Sequence, residues 1–468
     1  MRQKLITIIL TYLRFLARLA LKRHKPLIIG VAGSVGKSST RNALYAMLKD
    51  VAPTRMVGNS ETGIPLGILG ITPAGYSSQD WLRMLKQALG GIEYLKGTKY
   101  LIAEMGIDEP YPPKNMEYLL TILKPDIAIS LNATAAHTEQ FEKVLSEPNA
   151  PQFNSEKEKY RYILSRIALD DTKIITESGC EVGIFNADDE YVARTIESQL
   201  NRDKQSNNPT PNLLSFGEGK RNAISYLDQA STLEGSTFRF QLNGEKIEKI
   251  SLTFKKQLFP AEYQELFAAT MLVGKRLGLT NTQITSNLEK NYTLPKSRST
   301  MFSGIRDSII IDSSYNSSKP AMFAFLQLLA ELGLKHRKKK ALVMGDMREL
   351  GHEAKMEHEE VAEMISESVE YLYCIGPLTK QFVVPYLEKK KEKITKEVMW
   401  FPSSIDAGKY LAEHLPENSI VLVKGSQNTL YLEEAIKYLL KNKEDEKNLC
   451  RQEGYWKETK QKYFATPV

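Results

Sequence analysis

Apolar residues in this chain fall into short runs, separated by stretches in which they recur every three or four positions. Leu27–Val31, Tyr100–Met105, Ile127–Leu131, Glu181–Phe185 and Asn212–Phe216 are runs of the first kind and predict buried strands. Between them the spacing is helical; in Ser39–Lys49, for example, Ala43, Leu44, Ala46, Met47 and Leu48 form one apolar face. Strand and helix patterns in alternation predict a parallel sheet covered by helices on both sides. Over Ile224–Phe254 the pattern becomes β-like, and Asn243-Gly244 is a hairpin signal, so an antiparallel appendage is expected there. Ala261–Leu277 reads as a helix and Leu294–Arg298 as a linker. A second alternating series follows, with strands at Ser308–Ile311, Lys340–Met344, Tyr371–Ile375, Val398–Phe401 and Ser419–Lys424, and predicts a smaller Rossmann-like domain. The fold class expected is therefore α/β. Its organisation is an N-terminal helix (1–25), a central domain (26–296), a C-terminal domain (297–441) and a charged tail (442–468).

The first run ends in the most informative stretch, Gly30-Val31-Ala32-Gly33-Ser34-Val35-Gly36-Lys37-Ser38-Ser39-Thr40. It is a variant P-loop, G-x-x-G-x-x-G-K-S, placed between a strand and a helix. Glycines let backbone N–H groups converge on phosphate oxygens, and the helix start adds partial positive charge. Lys37 adds a full charge, and Ser38 offers a hydroxyl to Mg²⁺. The loop implies a nucleotide.

Composition adds few constraints. The 468 residues carry 42% hydrophobic and 25% charged residues, as ordinary globular proteins do. Cys180, Cys374 and Cys450 are far apart, which excludes a disulfide framework or zinc site and favours a reducing, cytoplasmic setting. The net charge is +7, with basic clusters at 335–340 and 389–393 that read as solvated faces, so no nucleic-acid partner is expected. The first 25 residues are apolar with interspersed Arg and Lys. They lack a signal-peptide cleavage site and are too short to span a bilayer comfortably. Packing on protein and lying on a membrane surface both fit them.

Ligands in open α/β sheets collect beyond the carboxyl ends of strands. Glu104 ends one strand and His137 follows the next. Both would complete an Mg²⁺ site with Ser38. In the second series the corresponding segments are 312–320, 345–351 and 424–426, three polar clusters on one expected edge.

Taken in order, the loop, Asn59-x-Glu61-x-Gly63-x-Pro65, Glu104-Met105-Gly106, Asn132…His137, Asn186-Ala187-Asp188-Asp189, Asp312…Tyr315-Asn316, Gly345-Asp346-Met347…Glu349 and Lys424-Gly425-Ser426 resemble the Mur ligase family. The branch most like this chain adds D-alanyl-D-alanine in peptidoglycan synthesis. The resemblance implies an ADP-forming, ATP-dependent carboxylate–amine ligase that passes through an acyl phosphate. Its substrates would be a nucleotide-linked or peptide carboxylate and a dipeptide amine. It implies that Gly33, Ser34, Gly36, Lys37, Ser38, Ser39, Asn59, Arg298 and Asp312 bind ATP, and that Ser38, Glu104 and His137 hold Mg²⁺. Lys159, or its neighbour Lys157, would be carbamylated to support a second Mg²⁺. Tyr315, Asn316, Lys319, Asp346, Glu349 and Lys424 would meet the amine as the second domain swings over the nucleotide. Some positions depart from the family pattern: Ala32 and Val35 in the loop, Ala261-Glu262 for a His-Asn pair, and Gln427 for an arginine. Only the first helix precedes the loop, where the family carries a domain that grips the UDP-sugar. A folylpolyglutamate-synthase-like ligase and a non-catalytic nucleotide-binding subunit are the alternatives.

Overall fold

The computed structural model describes residues 2–73, 75, 77–134, 138–206, 210–244, 246–255, 257–348, 350, 353–426 and 430–465, without the side chains of 2–5, 138–139 and 200–206. Contacts divide the chain into two units, the first comprising 1–228, 238–252 and 262–292 and the second 229–237, 253–261 and 293–468.

The larger sheet has nine strands: β1 (Leu27–Ala32), β2 (Thr54–Val57), β3 (Tyr100–Glu104), β4 (Ile127–Ser130), β5 (Val182–Asn186), β6 (Asn212–Gly217), β7 (Ile224–Thr232), β8 (Gly235–Leu242) and β9 (Glu248–Lys255). Their order is β2-β3-β1-β4-β5-β6-β7-β8-β9. Strands β1 to β6 pair in parallel, with β1 between β3 and β4. Chain order reverses at β1, and an open α/β sheet forms its ligand crevice at such a reversal. Val31 pairs with Glu104 and Ala32 with Ser130, so both neighbouring strands end level with the start of the loop. Only Leu233 and Glu234 separate β7 from β8, a connection that permits only antiparallel pairing. The expected antiparallel appendage is therefore present, and its two-residue turn is the β7–β8 connection. Strand β2 went unrecognised in the sequence because Thr54–Val57 is short and its first three residues are not buried.

The first helix (Arg2–His24) buries Leu10, Leu13, Leu16, Ala17 and Ala20 in the core of the first unit. Tyr12 donates to the Leu85 carbonyl at 3.3 Å, and His24 Nε2 lies 3.0 Å from the Ile92 carbonyl oxygen. Ile8, Phe15 and Leu19 stay exposed. No helix among the described residues is long and apolar enough to cross a membrane.

The second sheet has six strands: β10 (Thr300–Ser303), β11 (Ile309–Ser313), β12 (Lys339–Gly345), β13 (Tyr371–Ile375), β14 (Glu397–Phe401) and β15 (Ser419–Lys424), ordered β10-β11-β15-β12-β13-β14. Five strands are parallel and β10 adds an antiparallel edge. Leu342, Met344, Leu372, Cys374 and Leu422 belong to one core, while Val343, Tyr373, Ile375, Val421 and Val423 belong to another. Successive side chains point to opposite faces of a strand, so these apolar runs are what a sheet covered on both sides requires.

Two expectations need correction here. Leu294–Arg298 is not a plain linker, because Ser297 is fully buried and hydrogen-bonded within the second unit. The segment after 441 is not a loose tail. Its helix Gly454–Ala465 is anchored where Arg451 makes two hydrogen bonds to the fully buried Glu433 (2.9 and 2.7 Å), and Lys460 reaches the same carboxylate at 3.3 Å.

Candidate active site

In the first unit the phosphate-type loop is laced to the chain that leaves β4. The Ser34 N–H donates to the Asn132 carbonyl at 2.8 Å, and the Val35 N–H donates to Asn132 Oδ1 at 3.0 Å. Asn132 Nδ2 returns a bond to the Val35 carbonyl at 3.3 Å, and the Thr134 N–H donates to Ser34 Oγ at 2.9 Å. Gly33 and Gly36 have φ of 132° and 88°, and a Cβ on Gly33 would lie 3.0 Å from that of Leu131. The path of the loop therefore requires glycine at both positions. Gly36 caps the helix Lys37–Leu48 without a side-chain bond, so the N–H groups of the first turn stay free for an anion.

Lys37 Nζ donates to the Gly33 carbonyl and, at 3.0 Å, to that of Ser34, which curls the ammonium over the loop. Ser38 Oγ donates to Glu104 at 2.8 and 3.0 Å from its two oxygens, and Arg41 Nη1 stands 3.0 Å from Oε2. Glu104 is only 3% exposed. The structure thus joins Lys37, Ser38 and Glu104 at the β1 crevice. It adds Arg41, which sequence reasoning passed over although it lies three positions after Ser38 on one helix face.

Other expected residues are placed differently. Asn59 is exposed, and its carbonyl accepts from the Gly106 N–H at 3.1 Å. Ser39 lies in the first turn of the loop helix. His137 and Glu349 lie outside the described residues. Lys159 is paired with Glu156 at 2.6 Å in the first turn of the helix Glu156–Thr176. Among the described residues no cluster of three His, Cys, Asp or Glu could hold a metal ion. Ser38 and Glu104 still supply two hard oxygens. That suits Mg²⁺, which takes one or two protein ligands and completes its shell with phosphates and water. Asn186-Ala187-Asp188-Asp189 proves to be a turn: Asp189 accepts from the Ala133 N–H at 2.8 Å and caps the following helix at Tyr191 and Val192.

The second unit gathers its polar loops at one edge. Lys424 pairs in register with Ser313 on one side and Met344 on the other. Its ammonium is buried, donates to the Asn316 carbonyl at 2.9 Å and lies 4.9 Å from the Phe325 ring. Burial, reinforced by Arg298, pushes it down to about 7. Asp312 is fully buried, and burial pushes it up to about 6, although it accepts from Ser297 Oγ at 2.6 Å and the Ser314 N–H at 3.0 Å. Ser297 and Ser299 hold φ of 58° and 71°, a costly backbone for non-glycine residues, and carry the exposed Arg298 between them. Its guanidinium stands 5.1 Å from the Tyr315 ring, and that of Arg451 stands 5.6 Å from the same ring. Lys319 is engaged by Glu360 at 2.8 Å and Glu357 at 3.5 Å. Asp346 accepts from the Thr379 N–H at 2.9 Å, so both side chains brace loops here. Nothing in the order of residues placed Ser297, Glu433 or Arg451 at this edge; long-range packing did.

Residues 31–146 match the profile described as Mur ligase middle domain, and residues 297–427 match the Mur ligase, glutamate ligase domain. The chain belongs to the Mur ligase family. Among curated Mur ligases, the UDP-N-acetylmuramoyl-tripeptide–D-alanyl-D-alanine ligase of Rickettsia prowazekii is 22% identical over 411 residues, 87% of this chain and 76% of that protein. The enzyme of the same name from Synechocystis is 26% identical over 340 residues, 71% of this chain and 58% of that protein. The MurF ligase from Thermotoga maritima in complex with ADP superposes with a TM-score of 0.66 at 22% identity, covering 93% of this chain and 84% of that one. A mutant FPGS from L. casei shares the fold with a TM-score of 0.57 at 14% identity, covering 92% of this chain and 94% of that one. Against the curated Mur ligases the chain spans from about three quarters down to well under two thirds of their length.

Proposed function

We propose that the protein is an ATP-dependent, ADP-forming carboxylate–amine ligase that adds D-alanyl-D-alanine to a UDP-muramyl-peptide. The observation that carries this reading is the meeting of Lys37, Ser38 and Glu104 at the strand-order reversal of the first sheet. The names of the curated relatives support the choice of substrates.

In the proposed reaction a carboxylate oxygen of the acceptor attacks the γ-phosphorus of ATP. The bond from phosphorus to the β,γ-bridging oxygen breaks, and ADP leaves. The unprotonated amine then adds to the acyl carbon, phosphate departs with the C–O electron pair, and nitrogen loses a proton. Lys37 and the free N–H groups of the loop neutralise charge on the transferring group, a role of positioning and electrostatics. Ser38 and Glu104 would hold Mg²⁺, which would supply further charge neutralisation when bound. In the second unit, Asp312 and Arg298 are assigned to the nucleotide. Tyr315, Asn316 and Lys424 are assigned to the amine substrate, with Lys319 and Asp346 bracing their loops. The outward stripe of Ile8, Phe15 and Leu19 on the first helix, with Arg18 and Lys22 nearby in sequence, is proposed to touch an anionic membrane surface. Co-sedimentation with vesicles that is lost in Phe15→Glu would support this; no sedimentation would refute it.

A second reading, a folylpolyglutamate-synthase-like ligase, is favoured by the nearly complete mutual coverage with the L. casei structure. Phosphate release from ATP separates the two. Release with UDP-muramyl-tripeptide and D-alanyl-D-alanine supports the first, and release only with a folate and glutamate replaces it. Silence with every pair leaves a nucleotide-binding protein without ligase activity.

A further inference from the structure

The loop helix Lys37–Leu48 carries Lys37, Ser38 and Arg41 at a spacing that sets them on one face. Each is engaged within the chain. Lys37 donates to the Gly33 and Ser34 carbonyls, Ser38 donates to both oxygens of Glu104, and Arg41 Nη1 stands 3.0 Å from Glu104 Oε2. Glu104 is buried at the end of β3, and a buried carboxylate deprived of its cation is strongly destabilising. In the protein alone that cation is Arg41.

Arg41 is the less settled member of the pair. Its Nε is buried without a hydrogen-bond partner, and its Nη2 reaches Asn42 Oδ1 only at 3.5 Å. Its side chain keeps 22% of its exposure against 4% for Glu104, so the guanidinium has a path to water that the carboxylate lacks. A divalent cation held by Ser38 and Glu104 would meet the guanidinium at close range, and repulsion between cations is strong where water is scarce. A bare cation has to displace Arg41 unaided. One that arrives with phosphates does not, because their oxygens bring negative charge, fill part of its coordination shell and dock on the free N–H groups of the loop.

Resting on the reading of Ser38 and Glu104 as the metal-holding pair, we infer that Arg41 is the internal counter-ion of Glu104, giving way to a divalent cation only when nucleotide phosphates come with it. Arg41 thereby makes cation binding depend on the nucleotide. It acts through Glu104, as a positioning residue.

The experiment measures Mn²⁺ binding by electron paramagnetic resonance in the wild-type protein and in Arg41→Met, each with and without ADP. Without ADP, Arg41→Met should bind Mn²⁺ at least tenfold more tightly than the wild type. Adding Glu104→Gln to Arg41→Met should abolish that gain; a gain that survives would overturn the inference. Mn²⁺ alone should also raise the thermal midpoint of Arg41→Met more than that of the wild type, since it supplies the missing counter-ion. A merely structural arginine would lower stability on removal and leave ADP-free Mn²⁺ affinity unchanged, which would overturn the inference. If Arg41→Met does not fold, a crystal structure of the wild type with Mn²⁺ and ADP decides. Arg41 beyond hydrogen-bonding distance of Glu104 supports the inference, and Arg41 still bonded to it beside a bound cation overturns it. Failure of the wild type to bind Mn²⁺ with ADP would overturn the reading of the metal site and the inference together. Binding with ADP, but no gain in Arg41→Met, would overturn the inference alone.

Discussion

The pair formed by Glu104 and Arg41 gives a quantitative test of how the phosphate loop is held. Glu104→Gln keeps the shape and an acceptor for Ser38 but removes the charge facing Arg41 at 3.0 Å. At that separation, with an effective dielectric near 20, the direct attraction is about 5 kcal/mol before desolvation. Arg41 retains 22% of its side-chain exposure while Glu104 retains 4%, so the pair lies between exposed pairs and fully buried ones. A net coupling of about 1–2 kcal/mol is expected, and Glu104→Gln alone should cost about 2 kcal/mol, because it leaves a half-buried guanidinium unmatched. A double-mutant cycle with Arg41→Met isolates the coupling. Urea unfolding can be followed through Trp81, the one tryptophan of the first unit, after Trp400 and Trp456 are replaced by Phe. Additivity within about 0.3 kcal/mol would refute the energetic role of the contact. In parallel, Glu104→Gln should reduce phosphate release at least ~100-fold; near-normal release would remove Glu104 from the phosphate site.

Three further outcomes are expected. Lys37→Ala should abolish turnover with an unchanged circular dichroism spectrum, since the hydrogen bonds of its ammonium go to loop carbonyls that it can release; retained turnover would show that the phosphates bind elsewhere. Asp312 and Lys424 should give opposite pH trends. The folded pKa of Asp312 is raised from 3.8 to about 6, so its penalty is absent below the lower value and complete above the higher one. Asp312→Asn should therefore gain about 3 kcal/mol of relative stability as pH rises through that window. Lys424 is depressed from 10.5 to about 7, so Lys424→Met should stabilise most below the lower value and lose that advantage as pH climbs to the higher one. Denaturation midpoints across pH check both; parallel trends would contradict the burial argument. Finally, Glu433→Gln should cost about 3 kcal/mol by leaving Arg451 without its anion and Lys460 with Glu434 alone, and should make the chain after Leu449 sensitive to limited proteolysis. Replacing all three by apolar residues should restore protection.

Much of the architecture could be read in advance because both sheets are buried on their two faces, and the apolar runs of such strands stand out from the helical spacing around them. Strands β2 and β10 could not, being four-residue edge strands with largely unburied patterns. The loop with Lys37 and Ser38 was legible because its chemistry depends on consecutive residues. Glu104 was legible because it ends a strand. Arg41, Ser297 and Arg451 were not, since each acquires its meaning from a partner far along the chain or on another element.

The anchoring of the segment around Arg451 ties this edge to residues far apart in the chain. Ser297 Oγ both donates to Asp312 and accepts from the N–H of Cys450, and Arg451 stands against Tyr315. Cys450 and Arg451 are thus built into an edge whose other parts lie far earlier in the sequence. Without them Ser297 keeps only its bond to Asp312, and Glu433 loses the guanidinium that faces it. The edge is therefore as sensitive to the segment around residue 450 as to the loops that form it.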